Sequence, residues 1–127
     1  MIWTEWDPLK EMIVGRVYDP TDIEHIEDVE FRNGLQRIFE ESEEDFFDLA
    51  ELLRSYDVTV HRPKCEYKGD FRYPAVCPRD MHFVYGDQVI ATIGGDPNRF
   101  YERQHYNDII HNMDRRYSAM PTPTLGG

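Results

Sequence analysis

Apolar positions change their period several times along the chain, and each change marks an element. Met12-Ile13-Val14-Gly15-Arg16-Val17 follows the turn at Asp7-Pro8 and is β-rich, which predicts a buried strand over residues 12–17. Asp19-Pro20-Thr21-Asp22 ends it, and a polar loop or a short second strand follows. Between residues 34 and 55, Leu35, Phe39, Phe46, Leu49 and Leu53 recur at spacings of three, four or seven and form one helical stripe. Glu40, Glu41, Glu43, Glu44 and Asp45 then fall mostly on the solvent side. Val58-Thr59-Val60-His61 reads as a short strand stopped by Pro63.

Residues 64–78 carry no clear period and read as a linker over the surface, or a rim. Residues 81–85 and 88–93 are two β runs separated by Gly86-Asp87, the signal of a tight hairpin. Gly94-Gly95 breaks the second run; Asp96 is a candidate N-cap, with Pro97 at the first helical position. The helix that follows places Tyr106, Ile109, Ile110 and Met113 on one face, and residues 117–120 suggest a last short strand before Pro121-Thr122-Pro123. The expected class is α/β. Two ββαβ units are expected, over residues 1–63 and 78–127, joined by a linker over 64–77.

Length and charge narrow the functions. A chain of 127 residues, 40% hydrophobic, suits one domain with a packed interior. A formal net charge of -11 repels phosphate backbones and anionic lipid, so neither nucleic acid nor a membrane surface is an expected partner. A cationic ligand would not be repelled. No apolar run approaches the roughly 20 residues that span a bilayer, and Met1-Ile2-Trp3-Thr4-Glu5 lacks the pattern of a signal peptide. Two cysteines make no disulfide framework, so a reduced, cytoplasmic protein is expected.

Candidate chemistry from residue types alone is thin. Cys77 would need a lowered thiol pKa and a neighbouring base to act as a nucleophile, and its surroundings are acidic. His61, Cys65, Cys77 and His82 can be written as a zinc set, but each pair mixes Cys with His and both histidines fall on expected strands. Gly94-Gly95 lacks the further glycines or the lysine of a phosphate loop. No metal, cofactor or catalytic residue is assigned.

Five segments, taken in order, carry a family resemblance. Glu5-Trp6-Asp7-Pro8-Leu9-Lys10-Glu11-Met12-Ile13-Val14-Gly15-Arg16 resembles the opening of the catalytic domain of glycine amidinotransferases. Val58-Thr59-Val60-His61-Arg62-Pro63, then Cys77-Pro78-Arg79-Asp80 with its hairpin, Arg99-Phe100-Tyr101-Glu102, and Met120-Pro121-Thr122-Pro123-Thr124 are similar to that family's next landmarks. The resemblance implies the pentein fold, five ββαβ units around a central site, with the two units here as its first two blades. It implies transfer of an amidino group from arginine to an amine such as glycine through an amidino-cysteine, with a histidine as acid/base. That cysteine and histidine belong to later blades.

One substrate-contacting residue carries over, Asp80, with Arg79 beside it as a second candidate. An ionised carboxylate answers a planar guanidinium with paired hydrogen bonds. The alternative is that Asp80 pairs with Arg79 or caps a turn. The implied function is a truncated amidinotransferase-like protein, inactive alone and acting as a binding or assembly module; the alternative is one part of a split enzyme. Arginine or another guanidino compound is the implied ligand. A homodimer or larger homo-oligomer is expected, with Ile109, Ile110 and Met113 or the strand edges at the joint, unless that stripe faces its own core.

Overall fold

The computed structural model describes residues 2–4, 6–67, 69, 74–92, 99, 101–113 and 116–119. The expected Gly94-Gly95 turn, the Asp96 cap with Pro97, and the Pro121-Thr122-Pro123 tail lie outside them. The first half runs β1 (Glu11–Ile13), a 3-10 turn (Pro20–Ile23), α1 (Val29–Ser55) and β2 (Thr59–His61). The second runs α2 (Pro78–Met81), β3 (His82–Tyr85), β4 (Gln88–Ala91), a 3-10 turn (Glu102–Tyr106), α3 (Asn107–Asn112) and β5 (Arg116–Ala119).

β1 and β2 pair in parallel, Met12 opposite Val60, with α1 as the crossover. β3 and β4 form the expected antiparallel hairpin, and β5 returns parallel to β4 after α3, giving the order β3-β4-β5. The second half is therefore ββαβ. The first is not: its described residues give βαβ. Residues 18–28 take the loop alternative because Asp19 and Pro20 start a 3-10 turn there. The Asp19 carboxylate accepts from Thr21 N at 2.9 Å, and proline at the first position has no N–H for a ladder.

The first strand is shorter than expected because its continuation changes partners. Val14 N donates to His61 O at 3.0 Å, whereas Arg16 N donates to Ala75 O at 2.8 Å. Residues 14–18 thus thread between the two halves, with Val14, Val17 and Tyr18 buried. Residues 64–77 contain no helix or strand among their described members. They are more than a surface linker, since Ala75 is fully buried and Cys65 packs on the cores of both halves.

α1 begins five residues earlier than the stripe suggested. The Asp28 carboxylate accepts from Phe31 N at 3.1 Å and caps it, and Gly34 sits inside the helix. Its core-facing stripe is the buried Phe39 and Ala50 with the partly buried Leu35, Phe46 and Leu53. Leu49 is exposed, and Ala50 takes its place against Val58 and Val60. A second apolar row on α1, Phe31, Ile38, Leu49 and Leu52, faces outward. Among the described residues, no helix is long and apolar enough to cross a membrane.

Candidate functional site

Asp80 stands on the single turn α2, and local chemistry fixes its backbone. Pro78 occupies the first helical position, Asp80 N donates to Cys77 O at 3.1 Å, and the Thr92 hydroxyl donates to Asp80 O at 2.9 Å. Thr92 N also donates to Met81 O at 2.8 Å, so the buried start of the segment after β4 holds the turn from below. The Asp80 side chain, 42% exposed, projects from this pinned turn.

Its partner is Arg99, not Arg79. Arg99 Nη1 donates to Asp80 Oδ2 at 3.0 Å. The same guanidinium grips Glu102 with two bonds, Nε to Oε2 at 2.6 Å and Nη2 to Oε1 at 3.0 Å. Glu102 is wholly buried, so its charge requires this fork. Donating to Glu102 raises the Arg99 pKa further above its ordinary value, burial opposes that rise, and Asp80 adds to it. Arg99 therefore stays charged and orients Asp80 through one oxygen. Asp80 Oδ1 has no protein partner among the described residues.

Neither thiol suits a nucleophile. Burial pushes the Cys65 thiol up to about 11, and the bond it accepts from Ala75 N at 3.4 Å only partly opposes this. Burial also raises Cys77, with the Asp80 charge adding to the effect. Both are thiols at neutral pH. The would-be zinc residues do not assemble. His61 pairs with Glu11 at 2.7 Å, His82 is buried in the second half, and no group of three or more His, Cys, Asp or Glu among the described residues could hold a metal ion.

Arg79 lines a separate cavity between β1 and the second half, together with Lys10 and His82. Adjacent in sequence, Arg79 and Asp80 serve different places. The Ile109 stripe also resolves: Ile110 is buried beside Tyr106, and Met113 packs on the same cluster, so this face belongs to the chain's own core. Arg99 and Glu102 are the residues whose role sequence reasoning missed. Their signal was present as the Arg99-Phe100-Tyr101-Glu102 landmark, where a spacing of three on a helical turn puts both side chains on one face.

No family model matches the chain. Inosamine-phosphate amidinotransferase 1 of Streptomyces griseus is 29% identical to it, over 98% of this chain and 44% of that protein. The mitochondrial glycine amidinotransferase of Danio rerio is 27% identical, over 95% of this chain and 35% of that one. The solved inosamine-phosphate amidinotransferase of Streptomyces griseus superposes with a TM-score of 0.69 at 27% identity, covering 98% of this chain and 44% of its own. The chain is similar to amidinotransferases over nearly its whole length. An amidinotransferase from Microseira wollei, at 22% identity, matches the fold with a TM-score of 0.72 and the same 98% coverage of this chain. The chain spans less than half the length of the curated relatives it matches.

Proposed function

We propose that the chain supplies the guanidinium-contacting part of an amidinotransferase, and that the covalent chemistry needs groups from outside these residues. The observation that carries this reading is the partly exposed Asp80 carboxylate, fixed through Oδ2 by Arg99 and with Oδ1 unbonded among the described residues. Asp80 would accept from the guanidinium of arginine or of another guanidino compound. Arg99 is the positioning residue and Glu102 its anchor. The two small α/β units are read as two of the five sectors of a pentein propeller. That reading is supported by the superposition on an amidinotransferase across nearly the whole chain.

Amidino transfer requires an activated nucleophile and a proton shuttle. The raised thiols of Cys65 and Cys77 provide neither. Titration calorimetry with arginine tests the ligand reading, with citrulline as the uncharged control. A hydrogen bond between charged groups contributes about 1.5–3 kcal/mol, so Asp80→Ala is expected to weaken arginine at least about tenfold. Equal heats from arginine and citrulline, or equal affinity in Asp80→Ala, would remove the assignment. Ornithine release from arginine plus glycine is expected to be absent with the chain alone.

Self-association completes the proposal. The joint we infer is the outer row of α1, where Phe31, Ile38, Leu49 and Leu52 are all exposed. Two copies packed on this row would form an isologous contact. Sedimentation of the wild-type chain is expected to show a dimer, and Ile38→Glu with Leu52→Glu a monomer. A wild-type chain that sediments as a monomer throughout the micromolar range sinks this part.

A further inference from the structure

The cavity between β1 and the second half has a chemistry that the Asp80 site lacks. It measures about 330 Å³, within the size range of small-molecule sites. Met12 and Ile13 wall it from β1, and Val89, Ile110 and Met113 wall it from the second half. Three polar groups break this apolar lining with positive or neutral character. Lys10 and Arg79 are exposed cations whose side chains make no ion pair or hydrogen bond to a described residue. The third is His82, 9% exposed, whose two ring nitrogens are buried without a hydrogen-bond partner among the described residues.

A buried imidazole with two unmet nitrogens is rare in a folded protein, because each unmet group costs desolvation. Burial holds the His82 pKa down to about 4, and the nearby charge of Arg103 pushes the same way. The ring is thus neutral at pH 7 and brings no charge to the wall. Tyr106 packs edge-on against it at 5.3 Å and fixes its plane. Glu11, the acidic group in the lining, is already engaged by His61 at 2.7 Å. In a chain of formal net charge -11, this wall is a local exception that favours an anion and disfavours a guanidinium.

We propose that this cavity binds a small amphipathic monocarboxylate, its tail among Ile13, Val89 and Ile110 and its carboxylate taken by Lys10 and Arg79, with the neutral His82 ring as part of the wall. The site is independent of Asp80, whose carboxylate does not line the cavity. Trp3 reports on it, because a side chain at Gly86, which lines the cavity, would strike the Trp3 ring.

The test uses the full chain with Trp6→Phe as background, titrated with octanoate, octanol and octylammonium by Trp3 fluorescence. Octanoate is expected to saturate at one equivalent and to bind at least tenfold more tightly than octanol or octylammonium. Lys10→Ala with Arg79→Ala, two exposed positions whose loss leaves the fold intact by circular dichroism, is expected to reduce octanoate to the octanol level. The His82 ring nitrogen resonances should move on octanoate binding and stay fixed with arginine. Equal affinity for octanoate and octanol, or for wild type and the double variant, overturns the proposal. So does binding that leaves the His82 resonances unchanged.

Discussion

Glu43→Ala is expected to remove about 3 kcal/mol of folding stability, the scale of breaking a buried ion pair from one side. Glu43 is where three segments meet. Arg62 Nη1 and Nη2 donate to its two oxygens at 2.6 and 3.0 Å, and Arg16 Nη1 donates at 3.3 Å. Arg62 is 8% exposed, and its Nε already lacks a partner, so the carboxylate is its main compensation. The remaining bond, from Arg62 Nη2 to Gly15 O at 2.8 Å, is to a neutral acceptor. Glu41 provides the contrast two residues earlier. It pairs with Arg37 at 2.8 Å, but both are largely exposed, and Glu41→Ala is expected to change stability by less than about 0.5 kcal/mol. Urea unfolding of the two variants makes the comparison, read as a shift in midpoint at unchanged slope. Equal losses from Glu41→Ala and Glu43→Ala would show that the cluster is ordinary surface charge.

Glu43 also shows what could be read from the chain and what could not. The helix, its apolar stripe and the acidic run were legible because they repeat at short spacing. That one carboxylate in the run turns inward was not, because its partners arrive from residues 27 and 19 positions away in sequence. The α1 start was missed for a local reason. Gly34 reads as a boundary, yet the Asp28 cap and the packing of Leu35 carry the helix through it. Leu49 and Ala50 exchanged places for a geometric one. Ala50 lies on the core-facing side against Val58 and Val60, whereas Leu49 falls with Phe31 and Ile38 on the outer row. At the candidate site, Asp80 was legible only through the family resemblance. Its engagement by Arg99, 19 residues on, had no short-range signature.

Gly15→Ala is expected to be about as costly as loss of Glu43, near 3 kcal/mol, because overpacking at a rigid backbone has no cheap relief. A Cβ at Gly15 would lie 2.5 Å from Ala75 O and 2.7 Å from Val76 O. Both atoms are main chain, and Ala75 itself is fully buried beside Met81 and Tyr106. Making room would break the bond from Arg16 N to Ala75 O and pull the second half away from residues 14–17. Gly34→Ala is the matched control. It meets nothing within 4 Å, sits in a helix interior, and is expected to stabilise by about 0.5–1 kcal/mol. Because Gly15 O also accepts from Arg62, the junction and the Glu43 cluster are one mechanical unit. Displacing residue 15 already loosens Arg62, so adding Glu43→Ala should cost less than it does alone. In a double-mutant cycle the combined loss is expected to fall short of the sum by at least about 0.5 kcal/mol. Additive losses would mean that the two halves are joined by contacts other than this glycine and this carboxylate.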